Sequence, residues 1–324
     1  MNTRNAERLK QGRGRLNGRL RLLCFRLFLG LLHSLVSWAA SADPFESHLV
    51  SWPAAGVTVE GTLTGPVHGQ GVPGVLLIAG SGPTDRDWNS EGLSGQNGSG
   101  RLLAEALSAC GIVVLRYDKR GTGQTQAHPP HRWEDYTAEQ QGGLEFLSKT
   151  GQVDPRRIYV LGHSEGALHA LQLSQRTNIQ LAGVGLLAAP GRRLDQLIEA
   201  QFLSAHRAAG ITPAPQHVEL LAAMLASMRS NSDGPPAQVL ESRLLSGLAR
   251  ALFDPTERFF LADLIDFDPL EATARLKIPL LLMGGGKDIQ TDDEFDLGPL
   301  IEAAQAGTSP RVRVYRLPAS DHML

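Results

Sequence analysis

Three residues, far apart in the chain, could together carry out acyl transfer. Ser164 stands in "LGHSEGAL", a Gly-x-Ser-x-Gly pattern that an apolar run precedes and a helix-like stretch of Ala and Leu follows. A serine hydroxyl is a weak nucleophile unless a base removes its proton and an acid orients that base. "LLLMGGGKDIQ" offers Asp288 just beyond a strand ending near Met283, and "YRLPASDHML" offers His322 just beyond the last strand. Taken alone, Ser164 could be a small residue in a tight strand-to-helix connection. The order Ser, Asp, His, each following a strand, selects the nucleophile elbow instead. Asp292 and Asp293 are weaker rivals for the acid, because they lie further into the loop or at a helix start. Asp321 neighbours His322 and points elsewhere along the backbone.

Acyl transfer also needs donors for the tetrahedral oxyanion. The amide of Glu165, directly after the serine at a helix N-terminus, is one candidate. The other is the amide of Ser81 in "LIAGSGPTDRDWNS", where Gly80 and Gly82 let the backbone approach a ligand. Neither this Gly-Ser-Gly nor "GGGK" at 284–287 has the spacing of a nucleotide-binding loop. No Cys/His cluster has metal-ligand spacing, so no metal or organic cofactor is expected.

The elements that must hold these residues are visible as alternating short apolar runs and longer helical patterns. Runs beginning at Gly56, Gly74, Gly111, Arg157, Ala182, Ile278 and Arg311 read as strands. Helical patterns cover 101–110, 136–149, 167–176 and 293–306. This is an α/β chain with a mostly parallel central sheet and helices on both faces. Residues 191–273 break the rhythm with helical periodicity and no convincing strand, which reads as a helical cap over the mouth of the sheet. "YDKRGTGQT" is a Gly-rich turn that Asp118 and Arg120 are expected to brace by charge-assisted hydrogen bonds.

Residues 1–42 differ from the rest. They hold eight Arg or Lys, one acid (Glu7) and the apolar stretch "LFLGLLHSLVSW", followed by "AASAD" with small residues before Asp43. That three-part pattern predicts a secretory signal peptide and an exported protein, periplasmic or extracellular, without a stable membrane span once the leader is removed. The remaining 282 residues carry 23 basic and 32 acidic side chains, a net charge of −9. An acidic body without a basic patch argues against nucleic acid as a partner. Cys110 is the one thiol outside the leader, at a helix end before a strand, and is expected to be buried and structural. Nothing in the sequence defines an oligomeric state.

The pieces "GSGPTDRD", "LRYDKRGTG", "LGHSEGAL", "LLAAPGR" and "GGKDIQ", with the closing His322, resemble the α/β-hydrolase superfamily. Within it they look like bacterial EstD-like carboxylesterases, also labelled serine aminopeptidase-like hydrolases. The resemblance runs from Gly80 to His322. It implies a Ser164–Asp288–His322 triad, an oxyanion hole from Ser81 and Glu165, and a small-molecule ester as substrate. It places Asp85, Arg86 and Asp87 at the pocket entrance, lining or buttressing it. Two departures stand out. Trp88 replaces the Gly that follows "TDRD" in relatives, which is expected to narrow the site. The chain ends at Leu324, where relatives continue with a further helix, so a C-terminal helix over the sheet is expected to be missing. Aminopeptidase, amidase or thioesterase chemistry with the same triad, or a non-catalytic binding protein on this scaffold, are the alternatives.

Overall fold

The computed structural model describes residues 44–90, 96–230 and 232–324, so the leader expected over 1–42 lies outside the described residues. Strands β1 (Phe45–Ala54) and β2 (Val57–Pro66) form an antiparallel hairpin. Its two-residue turn, Ala55-Gly56, has positive φ at both positions, the geometry that matches the twist of paired strands. The remaining strands are β3 (Val72–Ile78), β4 (Val113–Tyr117), β5 (Val153–His163), β6 (Leu181–Leu187), β7 (Leu280–Gly285) and β8 (Val312–Leu317). They assemble in the order β1-β2-β4-β3-β5-β6-β7-β8, antiparallel across β1-β2-β4 and parallel from β4 to β8. β4 is buried along its whole length, as expected of a strand covered on both faces, and its one charged residue, Arg116, is paired with Asp87.

Alternate strand residues feed two different cores. Leu76, Ile78 and Leu115 face helices α2 (Trp133–Lys149) and α3 (Glu165–Arg176), with Leu300 of α10 (Gly298–Ala306) on the same side. Val75, Leu77 and Val114 face the other way, onto α1 (Ser99–Ala109). Among the described helices α1 alone joins that second core, and the far side of the sheet stays more open: Tyr315 on β8 is 49% exposed. β1 was not apparent from the sequence, because "FESHLVSWPA" has neither a regular polar-apolar alternation nor the run of bulky aliphatics that marks the central strands. Its anchor is Trp52, buried against Tyr117 and Phe146.

Between β6 and β7 the chain forms α4 (Leu194–Ala208), α5 (Pro215–Arg229), α6 (Ala237–Glu241), α7 (Ser246–Leu252), α8 (Arg258–Leu264) and α9 (Pro269–Ala274). Helices α4 to α7 share a separate apolar core of Ile198, Leu221, Met224, Met228, Val239 and Leu252. α9 returns to the sheet, where Ala272 packs into the main core. The helix expected from Asp293 begins one turn later than its sequence pattern: Asp293–Leu297 winds as a π-helix, and α10 proper starts at Gly298. The wider turn places the Asp296 carboxylate inside, where it accepts from the Gly191 amide and from Arg192.

Cys110 is exposed, contrary to the expectation of burial. It caps α1 at the turn into Gly111, and Ser108 two residues earlier takes the buried position instead. Among the described residues no helix is long and apolar enough to cross a membrane.

Candidate active site

Ser164 is the residue between β5 and α3, and its backbone takes φ 54° and ψ −124°. A non-glycine residue in that region is held there at a cost, and the turn lifts the side chain clear of the sheet. The close packing explains the flanking glycines. A Cβ on Gly162 would collide with the main chain of Gly166, and one on Gly166 with the carbonyls of Ile78 and Ala79. The Ser164 amide is anchored to Leu187 O at 2.8 Å, so β6 fixes the turn from the other side.

The structure brings Ser164, His322 and Asp288 together. His322 Nδ1 donates to Asp288 Oδ2 at 2.7 Å, which leaves Nε2 to accept from Ser164 Oγ at 2.9 Å. Asp288 Oδ1 accepts from the amides of Gln290 (2.8 Å) and Thr291 (3.0 Å), and the Thr291 hydroxyl lies 2.7 Å from Oδ2. Burial pushes the Asp288 carboxyl up, but the bonds from His322 and Thr291 outweigh it and hold its pKa below the ordinary carboxylate value. At neutral pH this carboxylate is therefore an acceptor only, and it selects the Nδ1–H tautomer of His322. The rival acids are engaged elsewhere. Asp292 accepts from the Phe295 amide, Asp293 pairs with Arg316 at 2.8 Å, and Asp321 accepts from the Met323 amide.

The loop bearing His322 is held by main-chain bonds: Lys287 N donates to Ser320 O at 2.9 Å and Gly286 N to Leu317 O at 2.9 Å. His163, the residue before the nucleophile, adds a side-chain clamp. Its Nε2 donates to the main-chain carbonyl of His322 at 2.7 Å, while its ring stacks on Trp88. Burial lowers the His163 pKa from 6.5 to about 4, so the ring is neutral and Nε2–H is the donor across the neutral range. A depressed pKa means that the folded state resists protonation. The stability it contributes is complete above pH 6.5 and is lost as pH falls toward 4, by roughly 3 kcal/mol. Replacing His163 with Phe keeps the stack and removes the donor. We expect a flatter acid limb in thermal melts between pH 6.5 and 4, and a kcat lower by about 10-fold as the His322 loop loosens.

Trp88 does not narrow the site. Its side chain is 5% exposed, packed beneath the elbow against His163, and Gly100 is the residue that makes room for it. Asp85, Arg86 and Asp87 buttress the loops. Arg86 Nη2 donates to Asp118 Oδ2 at 2.7 Å, and Asp87 pairs with Arg116. Asp85 accepts from the amides of Asp87 and Asn89. Asp118 also accepts from the Gln124 amide at 2.8 Å, bracing the Gly-rich turn as its sequence suggests. Arg120 fixes the same turn to α2: its Nε donates to Glu139 at 2.8 Å and its main-chain amide to the same carboxylate at 3.3 Å. A guanidinium this deeply buried needs carboxylate partners, and α2 supplies two, Glu139 and Asp135.

Ser81 and Glu165, the residue after the nucleophile, line one cavity of about 540 Å³. Gly80 abuts Ser164: a Cβ there would be 3.2 Å from the Ser164 Cβ. Lys119, His131 and Tyr136 form polar walls, and Leu252 and Phe260 from the α4–α8 insertion form an apolar one. Glu257 joins them from the insertion, accepting from His131 Nδ1 at 2.9 Å and from the Tyr136 hydroxyl. The Glu165 carboxylate is raised by burial but more strongly lowered by His169 and Lys119, and stays ionised. Sequence reasoning missed Lys119, His163 and Thr291. Each lies within one to three residues of a singled-out position, but the partners of Lys119 and His163 lie 39 and 159 residues away along the chain.

A model of the α/β-hydrolase family matches residues 75–324. The chain belongs to the α/β-hydrolase family. It is 31% identical over 238 residues to esterase EstD of Thermotoga maritima, which covers 72% of this chain and 51% of that protein. It is also 32% identical over 142 residues to an uncharacterised Mycobacterium tuberculosis protein, covering 41% of this chain and 49% of the relative. The chain thus spans about half the length of the curated relatives it matches. The Pyrococcus furiosus esterase Pf2001 superposes with a TM-score of 0.57 at 17% identity, over 88% of this chain and 87% of that one. The α/β hydrolase GrgF from Penicillium gives 0.53 at 14% identity, over 86% and 91%. At these identities the structural likeness establishes the α/β-hydrolase fold.

Proposed function

We propose that this α/β hydrolase is a serine carboxylic ester hydrolase acting on esters of small to medium acyl chains. The observation that carries the reading is the continuous chain Ser164 Oγ–His322 Nε2 and His322 Nδ1–Asp288 Oδ2, at 2.9 and 2.7 Å. In it Ser164 Oγ attacks the ester carbonyl as its proton passes to His322 Nε2, and Asp288 stabilises the imidazolium. The amides of Ser81 and Glu165 hold the oxyanion. Collapse expels the alcohol, which takes the proton from His322 and leaves an acyl group on Ser164. His322 then removes a proton from water, hydroxide attacks the acyl carbonyl, and the acid is released with Ser164 reprotonated. The likeness to esterase EstD supports the ester assignment.

Charge placement favours esters over aminoacyl amides. Recognition of a free α-amine needs an uncommitted carboxylate, and the candidates are taken: Asp85 by its own loop, Asp87 by Arg116, Glu165 by Lys119 and Glu257 by His131. p-Nitrophenyl butyrate should therefore be hydrolysed with a kcat/KM at least about 100-fold above that of alanine p-nitroanilide. The opposite preference would replace the esterase reading with an aminopeptidase one. The pattern over residues 1–42 adds export: expression of the full chain in a secreting host should yield mature protein beginning near Asp43 outside the cytoplasm.

A further inference from the structure

We infer that Lys119 is a positioning residue of the oxyanion hole: its ammonium aims and polarises the Ser81 amide through the peptide unit that joins Gly80 to Ser81. This rests on the serine-hydrolase reading and adds the source of one donor's orientation and strength. Lys119 follows β4, and only 4% of its surface is exposed. Its Nζ donates to Gly80 O at 2.5 Å, and Glu165 Oε1 stands 3.7 Å away. A lysine at a loop ordinarily extends its charge to solvent. Holding an ammonium inside is costly, and is sustained here by one main-chain carbonyl and one carboxylate.

The two groups it touches belong to Gly80, which packs against Ser164, and to Glu165, which follows it in the chain. A trans peptide is planar, so its N–H points away from its C=O. With the Gly80 carbonyl drawn to Lys119, the Ser81 N–H is directed to the opposite side. Among the described residues no protein acceptor engages that amide. The peptide is the one in contact with the nucleophile, because Gly80 is packed against Ser164. A carbonyl that accepts from a cation also makes its own N–H a stronger donor, since hydrogen bonds in series polarise one another. Lys119 thereby transmits positive charge to the oxyanion without touching the substrate's reacting atoms. Glu165, whose amide is the second donor, supplies the counter-charge, so a single ion pair spans both donors. Its carboxylate is in turn faced by His169 Nε2 at 3.9 Å, with Trp133 Nε1 donating to His169 Nδ1 at 3.0 Å.

The test uses the full chain and p-nitrophenyl butyrate, with a boronic acid as mimic of the tetrahedral intermediate. Hydrolysis by the wild type and its loss in Ser164→Ala establish the underlying reading; without them that reading falls and takes this inference with it. Given that activity, Lys119→Met should lower kcat by about 100-fold and weaken the boronate by a similar factor, with KM within about twofold. Lys119→Gln retains an N–H donor without the charge and should lie between, near 10-fold. Variants that melt at a lower temperature but keep wild-type kcat and boronate affinity would make Lys119 a structural ion-pair member and overturn the inference alone. A loss confined to KM would make it a ground-state substrate contact and overturn it as well. Should Lys119→Met fail to fold, Lys119→Gln decides by the same two readouts.

Discussion

Replacement of Ser164 by alanine is expected to lower kcat for p-nitrophenyl butyrate by about 10⁵- to 10⁶-fold while leaving the protein folded. The size of the effect follows from what is lost. Alanine keeps the elbow, the donors and the cavity, but no atom remains to form the acyl-enzyme, and catalysis falls back to binding and oxyanion stabilisation of a direct attack by water. The fold is expected to survive because the serine hydroxyl makes its contact with His322 alone, whereas the backbone at φ 54° is secured by the amide bond to Leu187 O. Steady-state kinetics with a thermal melt on the same preparation check both halves. A drop smaller than about 10-fold would contradict nucleophilic catalysis by this residue.

Asp288→Asn carries the second largest expectation, a loss of about 10⁴-fold in kcat. An amide is neutral and can donate to Nδ1, which stabilises the Nε2–H tautomer of His322. That tautomer cannot accept the Ser164 proton, so the geometry survives and the base is lost. The bonds from His322 and Thr291 hold this carboxyl ionised, while Asp292 and Asp293 are engaged elsewhere. Asp292→Asn and Asp293→Asn, whose carboxylates cap the π-helix and pair with Arg316, should stay within about threefold of wild type. A comparable loss in either of them would shift the acid away from Asp288.

What could be read from the chain divides along a physical line. Ser164, Asp288 and His322 were readable because each follows a strand in a parallel sheet, and chain order alone then carries them to one edge. The central strands were readable for the related reason that burial on both faces favours near-continuous apolar runs, as in "GVLLIAG" and the "GIVVL" of "GIVVLRYD". β1 escaped notice because an edge strand with one solvated face has no such run, and Trp52 gives its anchoring only once Tyr117 and Phe146 are in place. The Trp88 and Cys110 expectations failed on orientation. Trp88, at φ 65°, turns its indole under the elbow, and Cys110 ends a helix whose inward face belongs to Ser108. Direction of a side chain at a loop or helix end depends on the local backbone, which composition and periodicity do not encode. Lys119, His163 and Thr291 act through bonds spanning 39, 159 and 3 residues, and the two long ones exist only in the folded sheet.

The proposed ester hydrolysis depends on His322 and Asp288 making Ser164 a nucleophile. Reaction of the folded protein with a fluorophosphonate, followed by intact mass and peptide mapping, tests it most directly. One phosphonyl group per chain is expected, located on Ser164 and absent from the Ser164→Ala protein. Folded protein that takes up no probe, or takes it up equally without Ser164, would contradict it.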